Sequence, residues 1–146
     1  MLNCQDIANY FLSLINEDDG DTISNMQLQK LVYFAQGFHL ALYNNTLFNE
    51  PIEAWTYGPV VPILYHSYKD CTGNAIPKPT EVNLDVYTDE VRELLNEIHS
   101  VYGQYSAWKL SEITHQHPTW KNHYNNSDKI INTQELQDFF KTLIRD

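Results

Sequence analysis

The stretch SNMQLQKLVYFAQGFHLALY, Ser24 to Tyr43, decides the fold. It opens with an S-x-x-Q capping box, in which Ser24 and Gln27 would each accept a hydrogen bond from the other's backbone amide. Apolar residues then cover nearly every face of the helix, a pattern typical of a helix surrounded by others. We therefore predict a central helix over about residues 24–43. Gly37 in its middle predicts that another backbone crosses closely there, since glycine is otherwise unfavourable inside a helix.

Further helices are predicted from polar capping residues that precede apolar residues at helical spacing. The fold class that follows is mainly α: a single domain spanning residues 1–146, with about five to six helices around the central one. The surrounding helices are expected over about residues 4–16, over about Val60 to Tyr68, from Thr88 to Gly103, from Ser106 to a stop at Pro118, and from a capping box at Asn132 onward.

A small two-stranded β element is predicted beside these helices. A short strand is expected near Ile52 to Tyr57, and the Gly58-Pro59 pair would separate it from the helix that follows. A second strand around Val82 to Val86 is expected to pair with the first.

Charge and composition exclude several classes of function. Lys and Arg number 9 against 19 Asp and Glu, a formal net charge of −10 that repels nucleic-acid phosphates and anionic lipid. No apolar run approaches the ~20 residues of a membrane-spanning helix. The N-terminal MLNCQDIANYF lacks the basic and apolar regions of a signal peptide, so we expect a cytoplasmic protein without direct nucleic-acid or membrane partners.

No catalytic, cofactor or metal site is predicted. His115, His117 and His123 lack the i, i+4 spacing of a helical zinc pair, although a metal-dependent hydrolase built on them stays an alternative. A Cys71 nucleophile assisted by His66 is a further conceivable arrangement. The acidic NEDDGD stretch, residues 16–21, does not match a calcium loop and is predicted to be a solvated turn.

Aromatic residues make up 13% of the chain and gather around residues 55–68 and 102–124. Tyr and Trp are enriched at binding hot spots because they bury large areas at low entropic cost. We predict partly exposed, partner-binding positions at Tyr57, Tyr65 and Tyr68, and an acidic, aromatic-rich face there that covers a basic partner surface. The tryptophans Trp55, Trp108 and Trp120 are predicted to be core residues.

Sequence motifs in three segments resemble those of a known family. The patterns L-Q-K-L-x-Y-x-A-Q-G-x-H-L-A and E-A-W-x-Y-G-P-V-V-P lie within residues 23–69, and L-S-x-x-T-H begins at Leu110. Together they resemble the SocA-like family, also called the Panacea domain, and the closing helix extends this resemblance over most of the chain.

The resemblance implies a function. Members of this family look like cytoplasmic antitoxins, encoded in prophages and other mobile elements beside a toxin gene, that neutralise the toxin by direct protein binding. It further implies that such an antitoxin can act as an adaptor to a ClpXP-type protease. The alternative that stays open is a phage or mobile-element effector that binds a host protein.

The resemblance implies no catalytic role for the matched residues. A structural hypothesis is that Gln29, Gln36 and His39 bond the backbone of the turn between Trp55 and Pro62, because an unpaired buried polar group costs about 1–3 kcal/mol. The matched positions are Gln29, Lys30, Tyr33, Gln36, Gly37, His39, Trp55, Tyr57, Gly58, Pro59, Val60, Pro62, Ser111, Thr114, His115 and Trp120.

Overall fold

A long central helix carries the rest of the fold. The computed structural model describes residues 2–71 and 75–144. Its helix α2 spans Asn25–Tyr43, and the predicted capping box is present: the Ser24 side chain accepts from the Gln27 amide, and the Gln27 side chain accepts from the Ser24 amide. The helix ends at Asn44, which adopts the left-handed conformation at φ 60°. Most of its residues are buried, as the all-round apolar pattern predicted.

The other helices pack around α2 on one hydrophobic core. The predicted mainly helical fold with a small β element is confirmed. In chain order the helices are α1 (Cys4–Ser13), α2, α3 (Pro62–Ser67), α4 (Asp89–Tyr102), α5 (Ala107–His115), α6 (Pro118–Lys121) and α7 (Thr133–Leu143), with single 3-10 turns at Glu17–Asp19, Lys69–Cys71 and Leu84–Val86.

Among the residues that the structure describes, no helix has both the length and the apolar character required to cross a membrane.

The strand pairing differs from the prediction. β1 (Glu53–Trp55) pairs antiparallel with β2 (Gly58–Val60), and Trp55 lies opposite Gly58. Gly58 adopts φ 115°, so the chain reverses there and forms a hairpin with the residues just before it. The predicted partner strand over Val82 to Val86 is wrong, because Leu84–Val86 form a 3-10 turn. The segment Lys129–Ile131 also pairs with β1: Ala54 N donates to Lys129 O at 2.8 Å.

Some predicted helix boundaries also need correction. The first helix stops at Ser13 rather than near residue 16. The helix after the Gly-Pro pair starts at Pro62, because Val60 belongs to β2. Pro118 does more than stop α5: it is the first residue of α6, where its missing amide leaves no acceptor unpaired.

The helix caps follow the sequence closely. The Thr88 and Ser106 side chains each accept from the backbone amide three residues on, as predicted. Asn132 also accepts from Glu135 N, but the return bond of a capping box is not formed there. The Glu135 carboxylate instead pairs with His123, with 2.5 Å between Oε2 and Nε2.

Gly37 makes a close contact, but with a side chain rather than a crossing backbone. A Cβ added at Gly37 would lie 2.5 Å from ring atoms of Phe140 on α7. That ring packs edge-on against Tyr33 and Phe38, with centroids 5.4 and 4.9 Å apart. The glycine therefore makes room for an aromatic ring at the α2–α7 contact.

Candidate functional site

The hairpin Glu53–Val60 has an exposed tip, Thr56 and Tyr57, on a buried base. Tyr57 is 62% exposed, whereas Gly58, Pro59 and Val60 are buried. A polar backbone that is buried at its base needs hydrogen-bond partners. Those partners are side chains from α2, α5 and α6.

Helix α5 holds the tip by its backbone. Ser111 Oγ donates to the carbonyl oxygen of Tyr57 at 2.7 Å, and His115 Nε2 lies 2.9 Å from that of Thr56. Because a carbonyl only accepts, His115 carries its proton on Nε2 in this arrangement. The two side chains lie one turn apart on the same face of α5, which suits neighbouring carbonyls of a turn.

Trp120 on α6 holds the adjoining residue. Its indole Nε1 donates to the carbonyl oxygen of Trp55 at 2.7 Å. Its ring packs against those of His115 and Tyr124, with centroids 4.3 and 4.6 Å away. These ring contacts restrict the orientation of the indole and therefore the direction of its hydrogen bond.

Lys30 on α2 bonds the base of the hairpin. Its side chain is fully buried, and Nζ donates to the carbonyl oxygen of Pro59 at 3.1 Å. Within the described residues, no carboxylate pairs with it. Burial alone lowers the pKa of Lys30 to about 7, so near neutral pH the amine is only partly charged.

Gly58 lies in close contact with side chains of α2 and α5. A Cβ there would lie 2.5 Å from Lys30 Cε and 2.8 Å from Thr114 Oγ1. Thr114 turns its hydroxyl back to the carbonyl of Leu110 at 2.9 Å, which leaves it satisfied beside the glycine. Both the positive φ and the contact therefore require glycine at this position.

Gln29 secures the end of the hairpin, as hypothesised. Its Oε1 accepts from Val61 N at 2.9 Å, and its Nε2 donates to Asn25 Oδ1 at 3.0 Å. Asn25 Nδ2 in turn donates to the carbonyl oxygen of Tyr65 at 3.1 Å. A continuous hydrogen-bonded path therefore joins α2 to the hairpin and to α3.

The same hypothesis is wrong for Gln36 and His39. Gln36 bonds the loop after α2, accepting from Leu47 N at 2.8 Å and donating to Phe48 O at 2.7 Å. His39 Nδ1 lies 2.8 Å from Asn45 O in the same loop. At about 1.5 Å of rise per residue, Gln36 lies roughly 10 Å beyond Gln29 along the helix, too far from the hairpin.

A second buried polar cluster links α2 to α6. The Tyr33 hydroxyl lies 2.9 Å from His117 Nδ1 and 2.7 Å from Thr119 Oγ1. Burial lowers the pKa of His117 to about 4 and raises that of Tyr33, so both are neutral at physiological pH. The sequence singled out Tyr33 but not Thr119, whose only signal was its position after Pro118.

The histidines considered for metal binding have separate partners. His115 bonds the hairpin, His117 bonds Tyr33, and His123 pairs with Glu135. Within residues 2–71 and 75–144, no group of three or more His, Cys, Asp or Glu could hold a metal ion. Burial beside Glu50 raises the pKa of the Cys4 thiol to about 12, which disfavours the thiolate form there.

A groove of about 420 Å³ lies beside the tip. Trp55 and Tyr65 meet edge to face in it, with centroids 5.2 Å apart. This groove, the aromatic groove from here on, is lined by Met26, Trp55, Thr56, Tyr57, Tyr65 and Lys129.

The predicted aromatic positions divide in two. Tyr57 and Tyr65 line the aromatic groove, and Tyr65 and Tyr68 are partly exposed as expected. Tyr68 lies elsewhere: its hydroxyl accepts from Gln5 Nε2 on α1 at 2.6 Å.

The core prediction is wrong for Trp108, which is 71% exposed near the start of α5. Trp55 and Trp120 are partly buried, because Trp55 belongs to the hairpin and Trp120 packs beside it rather than at the centre of the core.

Residues 28–121 match the family described as "Antitoxin SocA-like, Panacea domain". A curated protein, Antitoxin SocA of Caulobacter vibrioides (strain NA1000 / CB15N), is 32% identical over 103 residues, which cover 64% of this chain and 55% of that protein. The chain thus matches only about half the length of that relative. No solved structure matches. The residues that clamp the hairpin fall within the matched region, and this chain belongs to the SocA-like, Panacea-domain family.

Proposed function

We propose that this chain is a cytoplasmic antitoxin that neutralises a toxin by binding it directly with the tip of the hairpin. The name of the relative supports the antitoxin role, and the architecture of the hairpin supports the binding surface. The toxin partner would be encoded by the adjacent gene.

The single observation that carries this proposal is the convergence of the family residues on one backbone turn. Lys30 on α2, Ser111 and His115 on α5, and Trp120 on α6 each donate to a carbonyl of residues 55–59. A turn held this way loses little further entropy when a partner binds it, and preorganisation raises affinity. The exposed ring of Tyr57 is what the turn presents.

The same bonds favour binding over catalysis. The hydroxyl of Ser111 and the imidazole of His115 are the groups that a hydrolase would use, but both are committed to backbone carbonyls. A general base or nucleophile needs its reactive atom free to meet substrate. We therefore propose a non-enzymatic role.

A growth-rescue assay tests the proposal. The adjacent gene is induced in a bacterial host alone, with this chain, and with its Tyr57→Ala variant. We expect the adjacent gene to stop growth, this chain to restore it through a complex that co-purifies, and the variant to restore it less. A harmless neighbour that forms no complex would contradict the antitoxin role and favour an effector that binds a host protein.

We further propose that the chain can deliver its toxin to a ClpXP-type protease, as the family resemblance implies. The measurement is the half-life of the toxin with and without the chain, in hosts with and without the protease. Faster loss of toxin only when chain and protease are both present is expected. An unchanged half-life would limit the role to sequestration.

A further inference from the structure

We infer that the aromatic groove takes an arginine side chain from a basic segment of the toxin. This inference rests on the proposed antitoxin function and specifies the chemistry of its partner. It is carried by the rings that line the groove, by the occupied carbonyls beside it and by the charge of the chain.

The walls of the groove suit a planar cation. Trp55, Tyr57 and Tyr65 supply aromatic rings, and Met26 supplies a polarisable thioether. A guanidinium stacks on aromatic faces and is more weakly hydrated than an ammonium, so it loses less on leaving water. Arginine is therefore favoured over lysine as the occupant.

The backbone beside the groove offers a partner little to bond. The carbonyl oxygens of Trp55, Thr56 and Tyr57 already accept from Trp120, His115 and Ser111. A peptide strand that added to this edge would need free backbone groups along it. Recognition at the tip therefore depends on side chains, and the rings are the largest surfaces available.

Charge favours a cationic partner. The chain carries a formal charge of −10, and in the described part of it the only ion pair joins His123 to Glu135. The carboxylate of Glu53 bonds one wall of the groove, since its Oε1 accepts from the Trp55 indole at 3.0 Å. An acidic field of this kind attracts and orients a basic surface.

Among the described residues, Lys129 is the only cation that lines the groove, and its ammonium is already engaged. Nζ donates to Tyr124 O at 2.5 Å and lies 4.5 Å from the centroid of the Tyr124 ring. The aliphatic stem is thus what Lys129 contributes to the wall, as is common for long cationic side chains. Its charge opposes an arginine nearby, which provides a test.

The test titrates the whole chain with N-acetyl-arginine methylamide and, separately, with its citrulline counterpart, which has the same shape without the charge. Binding is followed by NMR on the indole N–H signals of the tryptophans. We expect the Trp55 signal to move and arginine to bind about threefold or more tighter than citrulline. Tyr65→Leu should weaken arginine binding, whereas Tyr43→Leu, the same substitution at the far end of α2, should leave it unchanged.

Lys129→Gln gives a further test, because it removes the opposing charge, together with the bond of Nζ to Tyr124 O. We expect arginine to bind this variant about twofold tighter. Weaker arginine binding to Lys129→Gln would show that removal of the opposing charge does not favour arginine, which would overturn the inference. Equal binding of arginine and citrulline, or signal changes confined to residues outside the groove, would also overturn it.

The rescue assay separates this inference from the proposed function. If this chain neutralises the toxin and Tyr65→Leu does so equally well, the groove is not the binding site and the antitoxin role stands. If the chain itself fails to neutralise the toxin, the antitoxin role fails, whatever the titration shows.

Discussion

The two halves of α2 contact different neighbours: hydrogen bonds hold the hairpin on the N-terminal half, and aromatic packing holds α7 on the C-terminal half, which also bonds the following loop through Gln36 and His39. In the N-terminal half, Gln29 and Lys30 are buried polar residues that bond the hairpin. In the C-terminal half, Gly37 and Phe38 pack against the ring of Phe140 on α7. Hydrogen bonds are directional and fix the position of a turn, whereas apolar packing supplies most of the stability without fixing any one group. The comparison indicates that one helix both stabilises the fold and positions the hairpin tip.

The largest effect on stability is expected at the contact between α7 and the C-terminal half of α2. Phe140→Ala removes a fully buried ring and should lower the free energy of unfolding by about 3–5 kcal/mol, measured by chemical denaturation. Phe139→Ala, which changes the neighbouring and only partly buried ring, should have a smaller effect. The amide signals of the hairpin should stay unchanged in folded Phe140→Ala protein, and a disrupted hairpin would show that the two halves are not separable.

A single methyl group added at Gly58 should disrupt the contact between the hairpin and the N-terminal half of α2. Gly58→Ala places a Cβ 2.5 Å from Lys30 Cε at a φ of 115°, so we expect a loss of more than about 2 kcal/mol. Gly20→Ala is the matched control: its φ is 78°, but nothing lies within 4 Å of the added Cβ. It should lose only about 1 kcal/mol from backbone strain. Equal losses in thermal or chemical unfolding would contradict the contact between Gly58 and Lys30.

Lys30 should make the stability of the folded chain depend on pH. Its pKa is about 7 in the folded chain against an ordinary 10.5, so between these values the unfolded state binds more protons. Stability should therefore rise from pH 7 upward, by at most about 1.4 kcal/mol per pH unit, and be insensitive to this group below its folded pKa.

The measurement for Lys30 is chemical denaturation from pH 7 to 9, the range below the ordinary pKa of the Cys4 thiol. Lys30→Met keeps an unbranched side chain only one atom shorter and removes the titrating amine, so the stability of this variant should vary less over this range. The same slope in both proteins would show that Lys30 is not the buried amine that titrates.

Loss of one of the hydrogen bonds that hold the hairpin backbone should have a modest effect on stability. Ser111→Ala removes the donor to the Tyr57 carbonyl and should cost about 1 kcal/mol, with faster hydrogen exchange at the tip. Ser67→Ala removes an exposed bond to Ile63 O and should stay within about 0.5 kcal/mol. Unchanged exchange at the tip of Ser111→Ala would show that this bond does not hold the hairpin.

The sequence predicted the elements that depend on neighbours along the chain. The capping box of Ser24 and the cap at Thr88 are local hydrogen bonds, and the stretch that follows each showed helical periodicity. The small β element was anticipated, but its pairing was not, because the Gly58-Pro59 pair resembles a stop as much as a reversal. The φ of 115° at Gly58 depends on contacts with Lys30 and Thr114, which are distant in sequence.

The candidate site was predictable in its residues and not in its connections. Motif resemblance identified Lys30, Ser111 and Trp120, but nothing in their spacing showed that they converge on one turn. Helical spacing can place Gln29 and Gln36 on one side of α2, yet it does not show which backbone each reaches. Trp108 was assigned to the core from its residue type, although it is exposed.

The central claim is that the clamped tip binds the toxin, and the affinity of Tyr57→Ala for the toxin identified by the rescue assay tests it most directly. Tyr57 is 62% exposed, so the change should leave the free energy of unfolding within about 0.5 kcal/mol. Tyr43→Ala, a 39% exposed ring at the other end of α2, is the control. We predict that the Kd rises at least about tenfold for Tyr57→Ala and is unchanged for Tyr43→Ala. Unchanged affinity of a folded Tyr57→Ala protein would contradict the account.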